Sequence, residues 1–187
     1  MVEPYDPAWP RQFETERPAL ERILAPWLDG DLEHIGSTAV PGLAAKPVID
    51  MLAPVRSLET SRAAFEPLAS QGYGYREHRP EAHAFAKPAG APWWEATHGL
   101  HLTERGSDLW RERLAFRDAL RADPALATEY AAWKELHANA PGEAAPYDER
   151  KFDFVARVLA GAGLELKPDS ERLSKGRRLG TPARRPP

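Results

Sequence analysis

The sequence predicts an α+β protein in which a small mixed β-sheet with flanking helices is followed by a helical subdomain. Between residues 32 and 104, short alternating or continuous apolar runs typical of strands surround one helical stretch. From Ser107 onward, apolar residues recur only at helical spacing. The chain has 187 residues, of which 42% are hydrophobic and 28% charged, as in an ordinary soluble domain. We therefore divide the chain into an α/β core (1–106), a helical subdomain (107–165) and a tail (166–187).

The N-terminal half contains the first helix and two strands. Asp6-Pro7 predicts the start of a helix. Apolar residues then recur at helical spacing, and Asp29-Gly30 is expected to end the helix. The alternation of Leu32–Ile35 predicts a short strand that leads into Gly36. The segment Pro47–Leu52 is apolar except for Asp50, which is typical of a buried strand with one functional exception.

Further elements follow in the same way. Ser57 is expected to cap a second helix that ends at Gly72, and residues 73–77, 82–87 and 98–104 are expected to be strands. The loop 88–94, with Trp93-Trp94, either covers a site or seals the sheet edge. Three helices are predicted after the sheet, beginning near Ser107, Asp123-Pro124 and Tyr147-Asp148.

Composition excludes several classes of protein. The absence of cysteine excludes disulfides, thiolate zinc sites and cysteine nucleophiles, so a metal would need His, Asp or Glu ligands. Because no apolar run is long enough for a membrane span and the N-terminus lacks a signal pattern, we expect a cytoplasmic protein without a membrane partner. The tail from Lys167 is basic and proline-rich, which predicts a disordered extension, whereas the rest is acidic and argues against nucleic-acid binding as the main task.

The candidate chemistry lies between His34 and Asp50. After the strand, Gly36-Ser37-Thr38 offers a backbone without a Cβ, free amides and two hydroxyls to phosphate oxygens, and Lys46 adds a positive charge. Asp50 is costly to bury in an apolar strand unless it is paired or binds a metal. The structural alternative is that Ser37 and Thr38 cap a turn and that Asp50 binds them locally.

Four sequence blocks carry a resemblance to a known family. They are His34–Leu43 with Lys46–Asp50, His98–Leu102 before Gly106-Ser107, Leu114–Arg121, and Tyr130–Lys134. The chain thereby resembles the GrpB-like proteins of the UPF0157 group over about residues 3–160. That family is predicted to adopt the nucleotidyltransferase superfold, and it also occurs fused to some bacterial dephospho-CoA kinases. The resemblance implies that Gly36-Ser37 grips phosphate and that Asp50 is the first metal carboxylate, with Mg²⁺ or Mn²⁺ as the ion.

One position departs from the wider superfold. Two-ion nucleotidyl transfer needs carboxylates at alternate positions of one strand, but Leu52 stands two residues after Asp50. A single ion would need His101 or Glu104 to complete its ligands. His98 and His101 are three apart and face opposite sides of a straight strand. The resemblance places His101 beside the strand of Asp50, so we expect His101 to be the ligand or proton carrier.

The helical subdomain adds basic residues at the family positions Arg117, Lys134 and Lys151. We expect Arg117 and Lys134 to face the Gly36-Ser37 turn across a cleft, although Arg117 could instead pair with a carboxylate. Other arginines of the same helix are expected to form a solvated face; they are Arg111, Arg113 and Arg121.

Three functions remain open from the sequence. The first is a metal-dependent nucleotidyltransferase in which Asp50 and His101 are catalytic and the ligand is a small phosphorylated molecule such as a nucleoside triphosphate. The second is a noncatalytic or regulatory module that binds such a ligand and has lost the second metal carboxylate. The third is a hydrolase that uses one metal-bound water. The identity of Leu52 keeps all three open.

Overall fold

A mixed five-stranded sheet with the order β1-β2-β5-β4-β3 lies at the centre of the structure, a computed structural model that describes residues 2–76, 79–92, 95–138 and 144–166. Strands β2 and β5 are parallel, and all other neighbours in the sheet are antiparallel. The strands are β1 (Glu33–Ile35), β2 (Ile49–Val55), β3 (Gly74–Arg76), β4 (Ala82–Lys87) and β5 (His98–Glu104). The predicted α+β class with a mixed sheet is confirmed.

Helices lie before, within and after the sheet segment. They are α1 (Trp9–Leu24), α2 (Leu58–Ser61), α3 (Phe65–Ser70), α4 (Asp108–Ala122), α5 (Pro124–Ala138) and α6 (Ala144–Gly161). The Ser107 hydroxyl accepts a hydrogen bond from the Trp110 amide at 3.1 Å, which caps α4 as the sequence predicts. Asp123 caps α5 in the same way through the amides of Ala125 and Leu126.

Several element boundaries differ from the sequence prediction. The Asp6 carboxylate accepts from the Ala8 amide at 2.8 Å, which holds Asp6-Pro7 in a turn, so that α1 begins only at Trp9. The expected second helix is divided into α2 and α3 by the 3-10 turn Arg62–Ala64. Strand β2 continues past Leu52 to Val55. Its last three residues no longer pair with β1, but they still pair with β5. The expectations for Trp93-Trp94 and for the tail from Lys167 lie outside the described residues.

Apolar clusters cover both faces of the sheet. On one face, α1 and α3 pack against the inward side chains of β2, β4 and β5, including Met51, Phe85 and Leu100. On the other face, Ile35 and Leu52 pack with Leu109 of α4. A third cluster unites α4, α5 and α6 with two residues that follow β1; its buried members are Val40, Leu43, Leu120, Tyr130, Phe154 and Val158. The helical subdomain and the loop after β1 therefore share one core.

No helix in the described parts of the chain is both long and apolar enough to cross a bilayer.

Arg117 ties α4 to the sheet. Its side chain is buried and donates to Glu33 Oε2 at 2.6 Å, to the His34 carbonyl at 3.0 Å and to Asp118 Oδ1 at 2.8 Å. Of the two expected roles, the structure thus shows the pairing with carboxylates. Because a guanidinium presents fixed, forked donors, these bonds define both the position and the orientation of α4 over β1.

Replacing Arg117 should weaken the fold. We expect Arg117→Met to lower the free energy of unfolding by about 2 kcal/mol, because it leaves the His34 carbonyl and the Glu33 carboxylate without this donor. Urea denaturation followed by circular dichroism measures this difference. Arg111, whose exposed side chain pairs with Asp108 on the same helix, is the matched control, and Arg111→Met should cost less than about 0.5 kcal/mol. Equal losses in both variants would contradict the assigned role of Arg117.

Candidate functional site

The site is built on a close approach between Gly36 and Asp50. Ile35 pairs with Asp50 across β1 and β2, so the next residue of the chain passes directly over the carboxylate. Gly36 has φ +74° and ψ −174°, a conformation that is essentially restricted to glycine. A Cβ at Gly36 would lie 2.6 Å from Asp50 Oδ2. Only glycine therefore permits this turn and this carboxylate at the same time.

The 3-10 turn Ser37–Ala39 follows, and Thr38 fixes it from inside. Thr38 is 1% exposed, and its hydroxyl donates to the Val48 carbonyl at 2.9 Å. Since that bond uses the only hydroxyl hydrogen, the 3.1 Å contact with His34 Nε2 assigns the imidazole as donor. The expectation that Thr38 binds ligand is therefore corrected: its side chain holds the turn.

His34 is a structural residue. Its ring stacks on Phe13 with ring centroids 5.0 Å apart. Burial, together with the charges of Arg121 and Arg117, lowers the pKa of His34 to about 4, so the ring is neutral near neutral pH.

Lys134 reaches the turn from α5. Its Nζ donates to Ser37 Oγ at 3.2 Å and also to the Ala44 carbonyl, and it lies 4.9 Å from the centroid of the Tyr130 ring. The side chain is buried, and burial with the charge of Lys151 lowers the pKa of Lys134 to about 8. The expected meeting of Lys134 with Ser37 is confirmed, and the ammonium group lies at the hydroxyl that follows Gly36.

The loop that leads from the turn to β2 is held at its centre. Glu3 and Ala45 exchange two backbone hydrogen bonds of 2.8 and 2.9 Å, one residue after the carbonyl that Lys134 binds. Lys46, the next residue, is exposed. The structure thus places Lys46 on the same loop as the Lys134 contact, with its amine available to solvent.

Two charges from the helical subdomain act on the Asp50 carboxyl. Burial raises the pKa of its carboxyl to about 6, and the charges of Arg113 on α4 and Lys151 on α6 act in the opposite direction. Arg113 and Arg121 were expected on a solvated face. Arg113 is half-buried instead, whereas Arg121 is exposed as expected, although its Nε also donates to the Ala39 carbonyl at 2.8 Å. The signal that could have revealed these residues is their four-residue spacing on either side of Arg117.

The remaining metal-ligand candidates are not gathered around Asp50. Leu52 is fully buried and packs with Leu109, so the second carboxylate position belongs to the core. Glu104 pairs with Val55 and accepts from the Leu58 amide at 3.0 Å, on the opposite face of the sheet from Asp50. This removes Glu104 from the candidate ligands. His101 is on the Asp50 face, but beside Leu52, one pleat repeat farther along.

Among the residues that the structure describes, no group of three or more His, Cys, Asp or Glu side chains could hold a metal ion. A two-ion centre therefore does not fit this donor set. Asp50 alone fits an ion whose other ligands are phosphate oxygens and water, which is a common arrangement for Mg²⁺.

Comparison with known proteins now identifies the family. A profile of the GrpB protein family matches residues 1–160. The chain belongs to the GrpB family. The Glutamate-rich protein GrpB of Alkalihalophilus pseudofirmus is 35% identical over 155 residues, which cover 81% of this chain and 88% of that protein. A crystal structure of GrpB from Enterococcus faecalis superposes with a TM-score of 0.71 at 30% identity, covering 94% of this chain and 98% of the other.

Other relatives are longer than this chain. The UPF0157 protein YqkA of Bacillus subtilis is 34% identical over 153 residues, and the match spans 81% of this chain but only 43% of YqkA. A dephospho-CoA kinase of Mycolicibacterium paratuberculosis is 31% identical over 159 residues, with 70% of this chain and 38% of the kinase covered. The predicted relationship of this GrpB domain to dephospho-CoA kinases is confirmed for that part of the kinase chain.

The fold is shared more widely. The Cid1 poly(U) polymerase, solved with MgATP, superposes with a TM-score of 0.50 at 16% identity over 75% of this chain. At that identity the comparison establishes the fold alone. The expected nucleotidyltransferase-like sheet with a C-terminal helical region is confirmed.

Substituting Gly36 should be more costly than substituting another glycine of positive φ. We expect Gly36→Ala to lower the free energy of unfolding by about 3 kcal/mol, because backbone strain adds to displacement of the Asp50 carboxylate. Gly42, with φ +79° and nothing within 4 Å of a built Cβ, is the matched control. Gly42→Ala should cost only the strain of about 1–2 kcal/mol. Urea denaturation measures both values. Equal losses of unfolding free energy in the two variants would contradict a cost from the contact with Asp50.

The Asp50 carboxylate should reduce stability at neutral pH. Its folded pKa of about 6 lies above its ordinary value of 3.8, so stability falls as the pH rises between the two values. We expect Asp50→Asn to raise the free energy of unfolding by about 1–3 kcal/mol at pH 8, and the gain to vanish below about pH 4. Asp31→Asn, at an exposed position before β1, is the control. A gain that is unchanged at low pH would contradict the assigned cause.

Proposed function

We propose that this GrpB protein binds a small phosphorylated ligand of the nucleotide class at the Gly36-Ser37 turn. The observation that carries the proposal is the Lys134 ammonium, which is buried and hydrogen-bonded to Ser37 Oγ beside the exposed backbone of Gly36. A buried cation is costly, and a polar turn with a nearby cation is a suitable phosphate site. A phosphate oxygen could replace Ser37 Oγ as the acceptor of Lys134.

Two comparisons support a nucleotide as the ligand class. The Cid1 structure, which has the same fold, is bound to MgATP, and a relative of which 38% is matched is named a dephospho-CoA kinase. We extend this ligand class to the present chain because its Gly36-Ser37 turn and Asp50 occupy the end of β1 and the adjoining part of β2.

The charges at the site favour binding over two-ion transfer. Leu52 supplies no ligand, whereas Arg113, Lys134 and Lys151 bring positive charge toward Asp50 and Ser37. When an ion such as Mg²⁺ is bound, it would be held by Asp50 and by ligand phosphates, and it would neutralise phosphate charge. The residues of the chain themselves bind and orient the phosphate, and His101 lies one pleat repeat away from Asp50.

Calorimetric titration with nucleoside triphosphates, with and without Mg²⁺, tests this function. We expect metal-free binding in the wild-type protein that falls at least tenfold in Lys134→Met and in Ser37→Ala, since each removes one side of the phosphate site. Asp50→Asn should leave metal-free binding unchanged and remove only the additional affinity that Mg²⁺ provides. Arg111→Met is the matched control and should bind like the wild type.

Two results would overturn the proposal. One is the absence of binding by any phosphorylated compound at millimolar concentration to protein whose melting curve is intact. The other is unchanged affinity in Lys134→Met. Release of pyrophosphate that requires Asp50 would instead favour transfer over binding.

Binding should weaken above pH 8. Because the pKa of Lys134 is lowered to about 8, the free protein loses this charge as the pH rises, and binding must then be accompanied by proton uptake. Lys151 and the exposed Glu135 are the charges that act on it. We expect the affinity to fall about tenfold between pH 7 and 9. Lys134→Met should bind weakly with little dependence on pH in this range; an equal slope in both proteins would assign the effect to another group.

A further inference from the structure

Ser37 differs from the other serines that the structure describes in the partner of its hydroxyl group. The hydroxyls of Ser61 and Ser70 donate to carbonyls within their own helices, and those of Ser57 and Ser107 accept from amides as helix caps. Ser37 Oγ instead lies 3.2 Å from the Nζ of a lysine on α5. This pair of side chains is brought together by the fold, whereas the contacts of the other hydroxyls are local.

Both members of the pair are held in place by further contacts. Ser37 begins the turn that the Thr38 hydroxyl fixes by donating to the Val48 carbonyl at 2.9 Å. The Lys134 amine also donates to the Ala44 carbonyl, which orients it. A hydroxyl within hydrogen-bond reach of a base that a third group orients is the arrangement that nucleophilic catalysis requires. Ser37 itself is half-buried and follows the exposed Gly36, so a small molecule can reach its hydroxyl.

The surroundings of Lys134 lower the cost of an uncharged amine. Its side chain is buried, and its Nζ lies 4.9 Å from the centroid of the Tyr130 ring, which belongs to the apolar cluster of the helical subdomain. Burial and the charge of Lys151 lower the pKa of Lys134 to about 8. An uncharged amine has two N–H groups and one lone pair. It can therefore donate to the Ala44 carbonyl and accept from the Ser37 hydroxyl at the same time.

We propose that Ser37 is a nucleophile with Lys134 as its general base, and that this pair transfers the acyl group of an uncharged carboxylic ester to water. Ser37 Oγ forms a bond to the ester carbonyl carbon while its proton passes to Lys134 Nζ. The bond from that carbon to the alcohol oxygen then breaks, and the leaving alcohol takes the proton from Lys134. Water attacks the acyl-serine in the same way, which releases the carboxylic acid and restores both side chains.

This activity goes beyond phosphate binding and does not depend on it, but the two compete for Lys134. The ammonium form of Lys134 binds an anion, whereas the amine form accepts the Ser37 proton. A bound phosphate stabilises the ammonium form, so phosphate should slow the reaction with an ester. The reaction should also become about tenfold faster between pH 7 and 9, where phosphate binding weakens. Lys151 and Glu135 are the charges that act on Lys134.

Reaction of the full chain with p-nitrophenyl acetate tests this proposal. We expect a burst of about one equivalent of nitrophenol per chain and an acetyl group on Ser37, located by peptide mass spectrometry. Ser37→Ala and Lys134→Arg should each slow the burst at least about a hundredfold. Lys134→Arg keeps the positive charge but cannot act as the base, so it should still bind phosphate. Ser70→Ala, at an exposed serine, is the matched control and should react like the wild type.

Acetylation of Lys134 in place of Ser37 would make the amine the nucleophile and would overturn the proposal. A burst that is unchanged in Ser37→Ala, or no burst from wild-type protein with an intact melting curve, would do the same. If phosphate binds and no burst occurs, the proposed phosphate-binding function stands and this activity fails; a burst without binding of any phosphorylated compound has the reverse meaning. Because the acetyl group is located in the wild type, this result does not depend on the folding of a variant.

Discussion

The site depends on one steric constraint, the passage of the Gly36 backbone over the Asp50 carboxylate. The antiparallel pairing of Ile35 with Asp50 determines which residue follows at this point. With a Cβ at 2.6 Å from Oδ2, any other residue would displace the carboxylate or the turn. The positions of Ser37 and of the Thr38 hydroxyl beneath it follow from the conformation of Gly36. A short strand and one glycine thus place a carboxylate, a hydroxyl and the exposed backbone of Gly36 together.

Long basic side chains connect the helical subdomain to this turn. Arg117 binds the His34 carbonyl, Arg121 the Ala39 carbonyl and Lys134 the Ala44 carbonyl. Each bond satisfies a main-chain oxygen that the short β1 strand and the following loop leave without a ladder partner. Two other cations of the helical subdomain, Arg113 and Lys151, act on the Asp50 carboxyl. The contacts of Arg117, Arg121 and Lys134 are therefore structural, and the proposed phosphate site would use the last of these side chains as well.

The sequence predicted elements better than it predicted side-chain partners. Strands β4 and β5 and the cap of α4 followed from alternation and from Ser107, because these patterns are local. The meeting of Lys134 with Ser37 was also predictable from the family resemblance. The contacts of Glu104, Thr38 and Arg113 were not predictable from the sequence. They depend on which face of a strand is covered, which group a hydroxyl meets and how a helix is oriented, and packing between distant segments decides all three. From the sequence alone, Arg113 is expected to face solvent, because the position of α4 over the sheet is not known.

The leucine at position 52 changes the electrostatic character of the site. Two divalent ions require a concentration of negative charge, whereas this face of β2 carries Asp50 next to a buried leucine that packs against Leu109. Introducing a carboxylate there would place a charge in the core under α4, at a cost of several kcal/mol unless it found a partner. With Arg113 and Lys151 acting on the remaining carboxylate, the field favours anions even without metal. The proposed binding of phosphate therefore needs no second carboxylate, whereas a two-ion reaction does.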